Sequence, residues 1–282
     1  MPRAQELISL RTFLSDSSTS VVTDRRRLTK DSGHLVSSYQ DLMAKVMELA
    51  FYNENQVFLF KGRALGARSE SDSLALKPSL FHPLKDRLAT SRLVRRMLAL
   101  SDAELKFFDL YKQAGLPGRE ELARTKLKRW ALLEHFKVCR TPLLEVSHSL
   151  RVATSLATQT ANSTGMVYVL GVPCLDGGTT FVRSGELQML SMASIYPPPN
   201  HDVMAAHGYM LSEFSNISSF DVARFASDFD SNFSNRVVGK FKLTSDFWLN
   251  ASPAYTPLEF PRNEGVLEQI AREVKATVPA NI

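Results

Sequence analysis

An apolar run, Val57-Phe58-Leu59-Phe60, leads straight into Lys61-Gly62-Arg63. Two cationic side chains beside a residue that has none offer a place where a phosphate or pyrophosphate can approach the backbone and take charge-assisted hydrogen bonds. The same three residues also suit a tight turn with two solvated bases, and spacing alone leaves both readings open. A second constellation runs from Thr141 to Ser149: Leu143-Leu144 is strand-like, and Glu145, Ser147, His148 and Ser149 then gather where a strand hands over to a helix. Hydroxyls at such a junction either face a cleft or cap the helix that carries Leu150, Ala153 and Ala157. In a third group, Arg124, Lys126, Lys128 and Arg129 spread over one side of a helix expected from about Arg119 to Phe136, opposite Ala123, Leu127, Trp130 and Ala131. Arg124, Lys128 and Arg129 are the residues expected to touch a polyanionic target, the other reading being a plain solvated surface.

Several common chemistries have no signature in this chain. It contains no GxGxxG, no GxxxxGKS/T, no HExxH and no GxSxG. The six histidines are scattered without metal-ligand spacing, so no metal is expected. Cys139 and Cys174 are too few and too isolated for a disulfide scaffold, which points to buried structural thiols and a reducing, cytosolic setting.

The elements that must position these groups read as follows. Leu42, Val46 and Leu49 recur at helical spacing, and Val57 to Phe60 is a buried strand ending at Gly62. Ser101 and Glu104 have the spacing of a capping box, so a helix is expected to start there and run through Leu105, Phe108 and Tyr111 to Gly115. Strands are expected at Val167 to Val172 and Arg236 to Leu243, separated by turn-rich stretches such as Asp176-Gly177-Gly178. In the second strand Phe241 and Leu243 alternate with Lys240 and Lys242, the pattern of one wet face near a sheet edge. Helices near Asp221 to Phe229 and Gly265 to Lys275 complete the pattern. The fold expected is α+β: a small mixed or antiparallel sheet core with a largely helical N-terminal half. Residues 1–35 read as an extension made of a short helix and a polar connection, 36–276 as the domain and 277–282 as a tail. A two-domain split is the alternative, since 282 residues exceed the usual single domain but no long linker interrupts them.

With 44% hydrophobic and 22% charged residues, the composition excludes disorder as the whole answer. A formal charge of +5 permits a polyanionic partner without requiring one. No stretch approaches the roughly 20 apolar residues needed to cross a bilayer, and no secretory signal opens the chain, so no membrane role is expected.

Taken in order, these segments resemble the FRG domain family, named for a Phe-Arg-Gly motif at the end of an early strand. Phe58-Leu59-Phe60-Lys61-Gly62-Arg63 matches that motif with Lys61 in place of its arginine. Leu76-Lys77-Pro78-Ser79-Leu80-Phe81 resembles the proline-serine-leucine-phenylalanine element that follows, with His82 where arginine is usual. Thr141-Pro142-Leu143-Leu144-Glu145-Val146-Ser147, then Ser149, Val152, Ala153 and Ala157, keep the register of the family's TPLLDWT-x-S-x-x-V-A-x-x-x-A pattern, with Glu145, Val146 and Ser147 for its aspartate, tryptophan and threonine. Gly165 to Leu170 is similar to the family's next strand. Asn200 and Gly208-Tyr209 match later positions, whereas Asp202 and Ala206 stand where arginine and glutamine are usual. Leu258-Glu259-Phe260-Pro261 with Gly265, Leu267 and Ile270 resembles the closing segment.

The FRG pattern is in turn similar to ADP-ribosyltransferases. The resemblance implies an ADP-ribosyltransferase-like fold with NAD as substrate. Lys61, Gly62 and Arg63 would then hold its phosphates, with Ser147 beside the nicotinamide riboside. A carboxylate near the oxocarbenium-like ribose would lower the barrier, and Glu145 ranks before Glu213 for that role. It also implies a nucleic acid or protein acceptor, the role of a bacterial toxin or antiphage effector, and a neutralising partner protein. The alternative is a catalytically inactive FRG-like module that binds a nucleotide, nucleic acid or protein in the same cleft. An adaptor docking through the basic helix is a further reading.

Overall fold

Asp24 and Ser38 start the first two helices by the same device. The Asp24 carboxylate accepts the Arg27 amide at 2.8 Å and the Ser38 hydroxyl accepts the Asp41 amide at 3.2 Å, each satisfying a helix N–H that has no partner within the helix. A computed structural model describes residues 10–65, 75–82, 90–159, 164–173, 179–182, 187–195, 207–213, 232–260 and 265–279. In chain order the strands are β1 (Leu10–Thr12), β2 (Val21–Thr23), β3 (His34–Val36), β4 (Val57–Ala64), β5 (Leu144–Ser147), β6 (Gly165–Val172), β7 (Thr179–Val182), β8 (Leu187–Ser191), β9 (Gly208–Ser212) and β10 (Val237–Leu243). The helices are α1 (Arg25–Lys30), α2 (Tyr39–Tyr52), α3 (Thr90–Gln113), α4 (Arg119–Arg124), α5 (Lys126–His135), α6 (Leu150–Ala157) and α7 (Val266–Lys275). The chain is therefore mixed α+β. Among the described residues no helix is long and apolar enough to cross a membrane.

The chain divides into two compact units, each assembled from three stretches of sequence. The first takes Met1–Leu76, Val146–Leu175 and Asn232–Glu259, and the second takes Lys77–Glu145, Asp176–Ser231 and Phe260–Ile282.

In the first unit the strand order is β3-β10-β6-β4-β5, parallel between β3 and β10 and antiparallel elsewhere. Phe60 lies opposite Val169 on one side and Ser147 on the other. Alternation along the strands sends Phe60, Val167, Val169, Phe241 and Leu243 to one face. There they bury against Leu42, Val46 and Leu49 of α2 and Ala153 and Ala157 of α6. Each large aliphatic side chain buried in this way contributes about 1.5–3 kcal/mol relative to exposure. The α2 spacing is the one read from the sequence.

Of the opening segment, read from the sequence as a short helix and a polar connection, residues 10–35 are described and hold more structure than a connection. They make the antiparallel pair β1–β2, then α1, then β3, and the Thr12 hydroxyl donates to the Val238 carbonyl at 2.7 Å. Phe13 joins the same core. The wet-face expectation for β10 is corrected. That strand lies near the edge as expected, between the edge strand β3 and β6, but Lys240 is 2% exposed, its ammonium donating to the Asp31 and Thr29 carbonyls at the end of α1. Carbonyls at a helix C-terminus satisfy a cation there, so a lysine-phenylalanine alternation need not mean a wet face.

The second unit packs α3, α5 and α7 around Leu93, Met97, Phe107, Trp130, Leu133, Leu267 and Ile270. It also holds the antiparallel run β7-β8-β9, in which Leu190 faces Met210 in register. Two sequence expectations fail here. The helix near Ser101 is a continuous 24-residue α3 beginning eleven residues earlier, and Glu104 is no cap, because its carboxylate accepts the Trp130 indole N–H at 2.6 Å and Arg129 Nε at 2.8 Å. The expected helix from Arg119 to Phe136 is two helices, broken where Thr125 leaves helical geometry at φ −114° and ψ 90°. Helix α7 matches its expected span. The expected turn at 176–178 and helix at 221–229 lie outside the described residues.

Candidate functional site

The strand β4 carries Lys61 and Arg63 on one face and Gly62 on the other, because side chains alternate along a strand. Cross-strand register extends the basic face: Lys61 lies opposite Tyr168, and Tyr168 opposite Lys240, while Arg63 lies opposite Met166, and Met166 opposite Lys242. Neighbouring strands stand about 4.8 Å apart, so Lys61, Arg63 and Lys242, all half-buried, share a face with Lys240 and Tyr168, which are buried. Helix α1 covers part of this face through the Lys240 contacts, and it brings Arg25. Burial lowers the Arg25 pKa from its ordinary value, and the nearby guanidinium of Arg236 lowers it further. Accumulated positive charge of this kind attracts phosphate-bearing ligands. The sequence identified Lys61 and Arg63, whereas Tyr168 joins their face only through the pairing of distant strands.

The opposite face is closed. A Cβ added at Gly62 would lie 1.8 Å from the Ala153 carbonyl oxygen, and one at Gly165 would lie 2.5 Å from that of Ala157. These glycines make the trough in which α6 rests, so the missing side chain of Gly62 admits a helix backbone. Ser147 shares this face, since it pairs with Phe60. Its hydroxyl accepts the Ser149 amide at 3.0 Å, and the Ser149 hydroxyl accepts the Val152 amide at 3.3 Å. Both serines thus organise the start of α6, which is the capping reading of that junction. Lys61 and Arg63 stand on one side of the sheet, and Gly62 and Ser147 on the other.

Glu145 is buried in a network within the second unit. Its carboxylate meets His135 Nδ1 at 3.0 Å and accepts the Lys137 ammonium at 2.9 Å. Lys137, held at φ +51°, also donates to Glu134 at 2.8 Å, and Glu134 in turn accepts the Thr141 hydroxyl at 2.6 Å. Burial works against the Lys137 charge, but the Glu145 and Glu134 carboxylates outweigh it and raise its pKa. Glu145 therefore has two partners that its sequence context did not assign to it, His135 and Lys137. Glu213 is buried just past β9.

The basic helix is turned inward. Lys128 is 6% exposed, pairs with Glu121 and donates to the Ser194 carbonyl at 3.0 Å. Arg129 pairs with Glu104 and donates to the Leu122 and Ala123 carbonyls. Of the three expected target contacts, Arg124 alone is exposed. A segment rich in lysine and arginine looks like a solvated face until the acidic partners from α3 and α4 are in place. No protein-family model, curated protein or solved structure matches this chain.

Proposed function

We propose that this chain is an FRG-like module of ADP-ribosyltransferase-like fold that binds a nucleotide, NAD by the resemblance, through its phosphates and does not transfer ADP-ribose. What supports this reading is the register that gathers Lys61, Arg63 and Lys242 on one sheet face and leaves Ser147 on the other. Phosphates are held by such charges whether or not chemistry follows. Catalysis asks more, namely a hydroxyl and a carboxylate converging with the cations on one ribose. Ser147 is committed to the start of α6, and Glu145 is committed to Lys137 and His135.

The test is incubation of the purified chain with labelled NAD and cell extract. Label retained on the chain at equilibrium, with no nicotinamide release, is the expected result. Nicotinamide release, or label moved covalently to protein or nucleic acid, overturns it in favour of the transferase reading. One observation favours that second reading: Glu145 is a carboxylate fixed by two partners, a preorganised group of the kind that stabilises a developing cation. In that case the chain would need an acceptor, protein or nucleic acid, and as a toxin or antiphage effector a neutralising partner protein.

A further inference from the structure

Helix α3 turns an apolar stripe away from the core it helps to build. Leu93, Met97, Leu100 and Phe107 are buried, whereas Leu98 is 56% exposed and Leu105, two turns further on, is 64% exposed. Beside this stripe, within the second unit, lies a groove of about 420 Å³ whose lining includes Arg95, Leu98, Ala99, Asp102 and, from the turn after α7, Val278. Arg95 and Asp102 are both exposed, and neither is engaged by an ion pair or hydrogen bond among the described residues. They stand about 10 Å apart along the helix axis, so they cannot pair with each other within one helix.

We propose that this face of α3 binds a second copy of the chain, the two α3 helices packing antiparallel about a twofold axis that passes between Leu98 and Ala99. Charge selects a second copy as the occupant. A cation and an anion placed at equal distances from the centre of a patch make that patch its own complement under a twofold, so Arg95 of each copy meets Asp102 of the other and the pair is made twice. Packing agrees with that register. Arg95, Leu98, Ala99 and Asp102 occupy positions i, i+3, i+4 and i+7, the four that frame a hole for one side chain of a facing helix, and the small Ala99 leaves the hole open to Leu98 of the second copy. Leu105 lies on the same stripe and packs beside the half-buried Val94 of the second copy. Moving the axis toward Asp102 would face Leu98 with Leu105, but it would also bring the two Asp102 carboxylates together, which like-charge repulsion opposes. One pair of helices buries less than the roughly 800 Å² per partner of a standard interface, so the association is expected to be weak. The surface shares no residue with the basic face of the first unit and does not depend on nucleotide binding.

Sedimentation equilibrium of the full chain from about 1 to 500 µM tests it, with each variant first shown to be folded. The wild type is expected to pass from monomer to dimer with rising concentration. Leu98→Glu, at an exposed position, places a carboxylate in the apolar centre and should raise the dissociation constant by about tenfold or more. Arg95→Asp sets like charges opposite each other at both ends of the contact and should weaken it about tenfold, and Arg95→Asp combined with Asp102→Arg exchanges the charges and should restore the dimer to within about threefold of wild type. If Leu98→Glu fails to fold, the charge-exchange series carries the test. A monomer at every concentration, which would leave the groove to a different partner, overturns the proposal. So does a dimer indifferent to Leu98→Glu, or one weakened by Arg95→Asp that the exchange does not restore.

Discussion

Gly62→Ala separates two accounts of the same residue. If Gly62 is there to admit a phosphate, an added methyl weakens ligand binding and leaves the fold intact. If it is there to seat α6, the methyl strikes the helix backbone. Its Cβ would lie 1.8 Å from the Ala153 carbonyl oxygen, 2.7 Å from the carbonyl carbon and 3.1 Å from Cα. Restoring ordinary contact requires α6 to withdraw by roughly 1.5 Å, a displacement that a close-packed interior resists. Withdrawal lifts Ala153 and Ala157 away from Phe60, Val167 and Val169, and the expected loss is about 3–5 kcal/mol, above the usual range for overpacking because backbone atoms are struck. Gly165→Ala, at 2.5 Å from the Ala157 oxygen, should cost less, about 2–3 kcal/mol. Gly115→Ala is the control. Its φ is +65° and nothing lies within 4 Å of the added atom, so only left-handed strain of about 1 kcal/mol applies. Urea unfolding followed by circular dichroism, with midpoints compared at constant m, gives the three values. A Gly62→Ala protein within about 0.5 kcal/mol of wild type, or one less affected than Gly115→Ala, refutes the packing argument.

Three further outcomes follow from the second unit. Glu104→Ala should cost about 3 kcal/mol in denaturant unfolding, because it strips the buried acceptor from the Trp130 indole and unpairs Arg129. Lys137 has a folded-state pKa raised above its unfolded value by Glu145 and Glu134, against the opposing effect of burial. Its contribution to stability is therefore complete below the unfolded lysine pKa of about 10.4 and lost as pH rises toward the folded value. With the side chain 56% exposed, the pairs contribute no more than about 1 kcal/mol. The stability gap between wild type and Lys137→Met should be level from about pH 7 to 9.5 and shrink above about 10.5. A gap that shrinks toward acid instead reverses the assigned sign. Burial, with a smaller effect from Glu134, pushes the Cys139 thiol up to about 12, so peptide-resolved alkylation at pH 8 should be slow in the native chain and fast in urea. Rapid native alkylation of Cys139 contradicts that environment.

What could be read along the chain was whatever depends on local periodicity. Leu42, Val46 and Leu49 lie three and four residues apart and could only make one helix face, and the apolar run before Lys61 could only be a buried strand. Serine at 149 had a cap as one of its two readings, and it is a cap. What could not be read depends on partners remote in sequence. Lys240 looked wet because nothing near it shows that the end of α1 supplies its carbonyl acceptors. Ser101 and Glu104 had capping spacing, but Glu104 is claimed by Trp130 and Arg129, 26 and 25 residues away. Lys128 and Arg129 were placed on a solvated face for the same reason. The site suffered most, because whether Lys61 and Ser147 share a face turns on the parity of one strand pairing, and moving a register by one residue exchanges the faces.

The most direct test of the account is equilibrium binding of NAD to wild type, Arg63→Glu and Ser147→Ala, each first shown to be folded. The account predicts that Arg63→Glu loses binding and Ser147→Ala keeps it. Loss of binding in Ser147→Ala, with Arg63→Glu binding like wild type, contradicts it.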